Sequence, residues 1–195
     1  MTMNPSVEIL PLTADRWRDL EGLFGDRGAY AGCWCMYWRL ERGEFNKLKG
    51  EGTKALLKEL AEHNDIPGLL AYMDGKAVGW CSVGPRENYR ALENSRVLKR
   101  VDEQPIWSIV CFFIDKGFRK QGLMSALVRG AVAFARSRGA KFVEAYPTDM
   151  EAPRLAGHKL GGCSGYMGIA RAFRENGFVE VGRASETQLI MRCTI

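Results

Sequence analysis

The clearest chemical pattern in this chain lies at residues 112–125, where an apolar strand runs into a basic turn, a glycine and a long helix. The first backbone N–H groups of a helix have no partner within it, and with the helix dipole they favour a bound anion. Between residues 116 and 141 the sequence has seven basic and no acidic side chains, so this helix start is strongly positive. A side chain at Gly122 would keep a pyrophosphate away from the backbone. The pattern therefore predicts a site for a phosphate-bearing ligand.

The elements that position this site form a mixed α/β pattern. The nearly unbroken apolar run at 107–114 is typical of a strand buried on both faces of a sheet. A helix over 122–138 and a short strand over 142–146 follow, and this order predicts a right-handed crossover with the two strands parallel. The other predicted strands lie at 7–10, 69–73, 77–83, 179–183 and 188–193, and the other helices at 14–24, 52–63 and 166–176.

Length and composition limit the classes of protein to consider. The 195 residues, 46% of them hydrophobic, fit one globular domain spanning 1–195. The net charge of +5 is modest and without a basic block, which argues against nucleic acid as a partner and favours a small anion. No apolar run reaches the roughly 18 residues of a membrane span, so we expect a cytoplasmic protein without a membrane partner.

With these elements in order, and with a Gly-Phe pair after the predicted last helix, the whole chain resembles the GNAT superfamily of acyl-CoA-dependent N-acetyltransferases. That family's cofactor motif is Arg or Gln, two residues, Gly, one residue, then Gly or Ala. The chain matches it from Arg119 to Gly122 and departs from it at Met124. The resemblance implies a mixed α/β (α+β) fold with a central sheet of six to seven strands, a splayed parallel strand pair and about four flanking helices.

The resemblance also implies how acetyl-CoA is held. Backbone N–H groups at the helix start bind the pyrophosphate, and the central strand aligns the pantetheine arm like an added strand. The related enzymes meet the thioester carbonyl with a backbone N–H of this strand, here near Phe112 and Phe113. The implied cofactor-binding residues are Phe112, Phe113, Ile114, Arg119, Lys120, Gln121, Gly122, Leu123, Met124, Ser125 and Phe173.

Acetyl transfer to an amine requires the amine to lose a proton, because an alkylammonium with a pKa of about 10 is mostly charged at neutral pH. Glu144 is our candidate base, since a carboxylate is unusual within a short apolar strand beside the central strand. An exposed glutamate on one sheet face explains the pattern equally well. Asp115 and Asp149 are weaker alternatives.

A departing thiolate can also take up a proton. Many relatives have a tyrosine four residues before the Gly-Phe pair, whereas this chain has Phe173 there. Tyr166, at the start of the predicted last helix, is the substitute that we consider, against a purely structural aromatic role. Because a thiol pKa is only about 8.5, a CoA thiolate leaves without obligatory acid catalysis.

Aromatic residues between the first two predicted helices fall in a region that often lines the acceptor pocket of the related enzymes. Trp34, Tyr37 and Trp38 are therefore candidate substrate contacts, together with Tyr146 at the end of the short predicted strand. An aromatic cluster that closes one end of the core is an equally valid interpretation.

The six cysteines are mostly interpreted as small core residues, reduced in a cytosol. A metal site would need Cys33 and Cys35 with His158 and Cys163. Structural zinc sites prefer cysteine pairs with two to four residues between them, whereas only Trp34 lies between Cys33 and Cys35, so we predict no metal. Cys111 has no recognisable histidine partner in His63 or His158, which favours direct transfer over a covalent intermediate.

The sequence thus predicts an N-acetyltransferase that passes an acetyl group from acetyl-CoA directly to a primary amine of a small molecule or peptide. Two alternatives remain open: a CoA-binding sensor with weak or no catalysis, favoured by Phe173, and a thiol-based metal or redox binder at Cys33 and Cys35. The oligomeric state stays open, a homodimer included.

Overall fold

A computed structural model describes residues 6–155, 157–158 and 165–195 of the chain. Its strands form one sheet of seven, in the order β1-β2-β3-β4-β5-β7-β6, in which only β4 and β5 pair in parallel. The strands are β1 Val7–Pro11, β2 Gly68–Met73, β3 Lys76–Pro85, β4 Trp107–Ile114, β5 Phe142–Ala145, β6 Val179–Ser185 and β7 Gln188–Thr194.

Helices cover both faces of this sheet. In the described part of the chain the α-helices are α1 Trp17–Phe24, α2 Arg42–Leu48, α3 Glu51–Glu62, α4 Arg90–Glu93, α5 Leu123–Ser137 and α6 Ala170–Arg174. The core on one face contains buried residues of α1, α2 and α3, and the core on the other contains buried residues of α5 and α6. We call them the α1 face and the α5 face. The predicted mixed α/β fold with a splayed parallel strand pair is confirmed.

Local sequence accounts for most element boundaries. Asp74 and Gly75 both adopt positive φ, as a tight hairpin between β2 and β3 requires. Gly139 has φ +80 just after α5 and allows the chain to leave the helix. Within the described residues, no helix is long and apolar enough to cross a membrane.

The largest differences between prediction and structure concern two helices. The helix α2 was not predicted, because the aromatic and basic residues before it obscure its period. The last helix is predicted over 166–176 but begins only at Ala170. Residues 165–169 instead form hydrogen bonds with two other segments, at Phe112 and Thr148, and these tertiary contacts override the local helix preference.

Candidate functional site

A gap opens between the two parallel strands. The strands β4 and β5 pair only at Trp107↔Val143, Ser108↔Glu144 and Ile109↔Ala145. The next residue of β4, Val110, forms a bulge against β3, because Ile109 pairs with Val83 and Cys111 with Ser82. A bulge bends and twists its strand, so β4 turns away from β5 at this point. The side chains of Ile109 and Phe112 then lie on the α5 face, and that of Cys111 lies on the α1 face.

The start of α5 carries free donors beside this gap. The first hydrogen bond of the helix runs from the Ala126 N–H to the Gly122 carbonyl, so the N–H groups of residues 123–125 have no acceptor within the helix. Gly122 is exposed with φ +78, and a β-carbon there would meet nothing within 4 Å. Arg119, Lys120 and Gln121 are exposed around the same turn. The turn therefore combines backbone donors, positive charge and open space.

Side chains of the turn fix its shape. The carboxylate of Asp115 accepts the Gly117 N–H at 2.8 Å, which places one of the alternative base candidates in a turn cap. The guanidinium of Arg119 donates to the Ile114 carbonyl at 3.1 Å, and Gln121 donates to the Gly117 carbonyl at 3.2 Å. Of the remaining predicted cofactor residues, Leu123 is buried, whereas Phe113, Met124 and Ser125 are half-buried.

The gap itself holds another part of the chain. The Phe112 N–H donates to the Tyr166 carbonyl at 2.6 Å. Successive N–H groups of a strand point in opposite directions, so the Phe113 N–H is directed toward β3, and Phe112 supplies the amide that faces the gap. Gly168 lies two residues after Tyr166, and its carbonyl accepts the Thr148 N–H at 3.0 Å.

Phe173 lies on the α5 face and is fully buried. Its ring packs edge-on against Phe112 at 5.9 Å and against Phe178 at 5.1 Å between centroids. It has no proton to donate, so its contribution at this position is apolar packing beneath the gap.

Glu144 is buried at the edge of the parallel strand pair, only 1% exposed. Its Oε1 accepts hydrogen bonds from Arg192 at 2.6 and 2.9 Å, and its Oε2 lies 3.7 Å from Arg86. The Tyr146 hydroxyl donates to the same Oε2 at 3.2 Å, and Arg86 donates to this hydroxyl at 2.7 Å. Both carboxylate oxygens of Glu144 are therefore engaged within the protein.

The charge network around Glu144 extends to the surface. Arg86 is fully buried and also donates to Glu93 and to the Leu98 carbonyl, so it ties the connection between β3 and β4 to β5. Arg192 forms a second ion pair with Asp102 at 2.7 Å. Sequence reasoning missed both arginines, because no local pattern marks them and their partners are distant along the chain.

The predicted substrate contacts differ in accessibility. Tyr37 is 38% exposed and packs edge-on against Trp38, which is half-buried. Trp34 is buried and stacks on Trp17 at 5.8 Å. Tyr146 is fully buried within the Glu144 network. In this conformation Tyr37 and Trp38 are therefore the members of the predicted set with exposed surface.

Three thiols meet on the α1 face next to the gap. The Cys35 thiol donates to the Cys111 sulfur at 2.9 Å, and the Cys33 sulfur accepts the Cys35 N–H at 3.3 Å. Burial, together with the neighbouring Cys111 thiol, raises the pKa of Cys35 well above its usual value. A neutral, buried thiol is a poor nucleophile. No metal-binding group of three or more ligands occurs among the described residues, and Cys163 lies outside them.

Alkaline pH is expected to destabilise the protein. Burial raises the pKa of Cys81 above 9.0 and that of Tyr146 above 10.0, so the folded state keeps protons that the unfolded state releases. The contribution of these two groups to the free energy of unfolding should be constant between about pH 7 and pH 9 and fall progressively above pH 9. Urea denaturation between about pH 8 and pH 10.5 measures this, and a midpoint that does not change across that range would contradict it.

Comparisons with known proteins find one matching family and many solved structures with a similar fold. The sequence profile described as "Acetyltransferase (GNAT) family" matches residues 34–161. No curated protein sequence matches the chain.

Solved structures share the fold at low sequence identity. The PaiA N-acetyltransferase of Thermoplasma acidophilum, solved in complex with coenzyme A, is 12% identical, with a TM-score of 0.53 over 97% of this chain and 99% of that one. The GNAT domain of S. lividans PAT is 13% identical, with a TM-score of 0.52 over 100% of this chain and 99% of that one. A protein described as histone acetyltransferase HPA2 and related acetyltransferase, from Corynebacterium glutamicum, is 16% identical, with a TM-score of 0.54 over 97% of both chains.

Proposed function

Because the chain belongs to the GNAT family of acetyltransferases, we propose that it transfers the acetyl group of acetyl-CoA to a primary amine in a ternary complex. The observation that carries this proposal is the gap beside β4, which opens one residue after the last β4–β5 pair, on the strand that leads through the basic turn to the free amides of α5. This arrangement offers one extended ligand both a slot for a pantetheine arm and donors for a pyrophosphate.

The backbone has the larger part in the proposed chemistry. The amine nitrogen attacks the thioester carbon, the C–S bond breaks, and CoA leaves as a thiolate. The Phe112 N–H, which faces the gap, stabilises the negative charge that develops on the carbonyl oxygen. The exposed Lys120 and Arg119 add positive charge where the CoA phosphates bind.

For Glu144 the contacts support a positioning role. Its carboxylate is held by Arg192, Arg86 and Tyr146, so in our proposal it fixes the end of β5 beside the gap. The acceptor amine is then deprotonated by solvent or enters in its neutral form. The free, buried thiols of Cys35 and Cys111 are consistent with a cytoplasmic protein.

Tyr166 is the proposed proton donor to the departing sulfur. Its side chain packs on the α1 face near Cys111, and burial raises the pKa of its hydroxyl, which therefore stays protonated. Tyr166→Phe should lower kcat up to about tenfold with little change in KM, because a CoA thiolate leaves readily without help. Steady-state kinetics measure this, and an unchanged kcat would assign the residue a structural role.

Free-thiol release from acetyl-CoA with a panel of small-molecule and peptide amines tests the proposed activity. We expect thiol release that depends on the amine and equals the amount of N-acetylated product found by mass spectrometry. Acetyl-CoA binding without turnover on any amine would favour the second candidate, a CoA-binding sensor. The observation that favours the sensor is Phe173, which is fully buried and cannot donate a proton.

A further inference from the structure

The segment that fills the gap, residues 165–169, bonds to both diverging strands. We call it the strap. The Tyr166 carbonyl accepts the Phe112 N–H of β4, while the Gly168 carbonyl accepts the Thr148 N–H just beyond β5. Ala170, immediately after the strap, donates back to the Thr148 carbonyl at 2.9 Å. The strap thus takes the place that an added strand between β4 and β5 would take.

The strap is also packed closely on both faces. A β-carbon at Gly168 would lie 2.5 Å from the Phe173 ring and 3.2 Å from the Phe112 ring, so only glycine fits in the closed position. The Tyr166 side chain packs into the core of the α1 face, and the fully buried Phe173 underlies the opposite side. With its Tyr166 carbonyl on the Phe112 N–H, the closed strap occupies the position beside Phe112 that an extended ligand would need.

Two glycines lie within the strap, on either side of Tyr166 and Met167. Gly165 has φ +84 and Gly168 has φ +95. Residues in this left-handed region are strained unless they are glycine, and glycine also changes conformation at low cost. Gly165 and Gly168 can therefore act as hinges on either side of Tyr166 and Met167.

We propose that the strap is an internal competitor of the pantetheine arm: CoA binds only after the backbone of residues 165–169 releases the Phe112 amide and moves to the rim of the gap, where the Tyr166 hydroxyl stays within reach of the CoA sulfur. The inference rests on the proposed acyl-CoA binding. The competition is for a single donor, because a thioester carbonyl and the Tyr166 carbonyl cannot both take the Phe112 N–H in the same geometry. The free enzyme is thus mostly closed, and CoA binds to the minor fraction of molecules in which the strap has opened.

A closed resting state has a measurable consequence for affinity. The apparent dissociation constant equals the intrinsic one divided by the fraction of open molecules, so any change that destabilises the closed state tightens CoA binding. Opening also precedes binding, so the observed association rate should reach a plateau as the CoA concentration rises.

Gly168→Ala tests the proposal, because the added methyl group collides with Phe173 and Phe112 only when the strap is closed. We expect about tenfold tighter CoA binding by calorimetry, and at least about tenfold faster hydrogen exchange of the Phe112 amide in the free protein. Gly177→Ala is the matched control: Gly177 also has positive φ, at +82, but a β-carbon there meets nothing within 4 Å. This control should leave both values unchanged.

The wild-type protein provides a second measurement that does not depend on how the variant folds. Stopped-flow binding should saturate with CoA concentration, and the Phe112 amide should be protected without ligand. An unprotected Phe112 amide, or equal CoA affinity in wild type and Gly168→Ala, would overturn the strap proposal. Absence of CoA binding in every variant would instead reject the proposed function on which it rests.

Discussion

Replacing Glu144 with alanine should lower the free energy of unfolding by about 3–5 kcal/mol, the usual cost of removing one partner from a buried ion pair. The substitution leaves the fully buried Arg86 with one carboxylate partner, the partly exposed Glu93. It also removes the buried member of the two carboxylates that pair with Arg192. Urea denaturation measures the effect.

Glu175→Ala is a suitable control for that experiment. Glu175 pairs with Arg171 in a solvent-exposed i,i+4 geometry, so its loss should cost less than about 0.5 kcal/mol. If Glu144→Ala were as stable as the control and reduced kcat more than about a hundredfold at unchanged KM, Glu144 would be the general base that its sequence context suggested.

Gly122→Glu should weaken CoA binding at least about a hundredfold, which corresponds to about 2.7 kcal/mol. The substitution places a carboxylate where the phosphates are proposed to bind, and it puts a side chain at φ +78 in the open space above the α5 amides. Calorimetric titration with CoA measures the loss.

The other end of the same helix provides the matched control for this variant. Gly139 has φ +80 and, like Gly122, nothing within 4 Å of an added β-carbon. Gly139→Glu therefore carries the same backbone strain and the same charge, but far from the proposed phosphate site. If both variants bound CoA equally, whether weakly or as tightly as wild type, the pyrophosphate would not sit at the start of α5.

Much of the fold could be predicted because its signals are local. The apolar run of β4, the Asp74-Gly75 hairpin and the basic turn before α5 each specify their structure over a few residues, and β4 has the predicted bounds 107–114. The crossover rule then places β5 parallel to β4.

The predictions that differ from the structure concern residues whose conformation depends on contacts between distant parts of the chain. Glu144 is buried by Arg192 and Arg86, which lie 48 and 58 positions away, so its environment has no local signature. Residues 166–169 of the strap fall within the predicted last helix, yet residues 165–167 form a turn that is closed by the Gly168 N–H on the Gly165 carbonyl. Hydrogen bonds with Phe112 and Thr148 hold the strap in place. Such contacts follow from the assembled sheet, and no local period or spacing reveals them.

Backbone amide resonances during a titration with CoA test the central claim most directly. If the start of α5 binds the pyrophosphate, the N–H signals of Leu123, Met124 and Ser125 should shift most strongly, because these amides have no acceptor within the helix. The amides at the opposite end of α5, from Arg136 to Gly139, should not move. Shifts confined to other parts of the protein, or no shift at saturating CoA, would contradict the account.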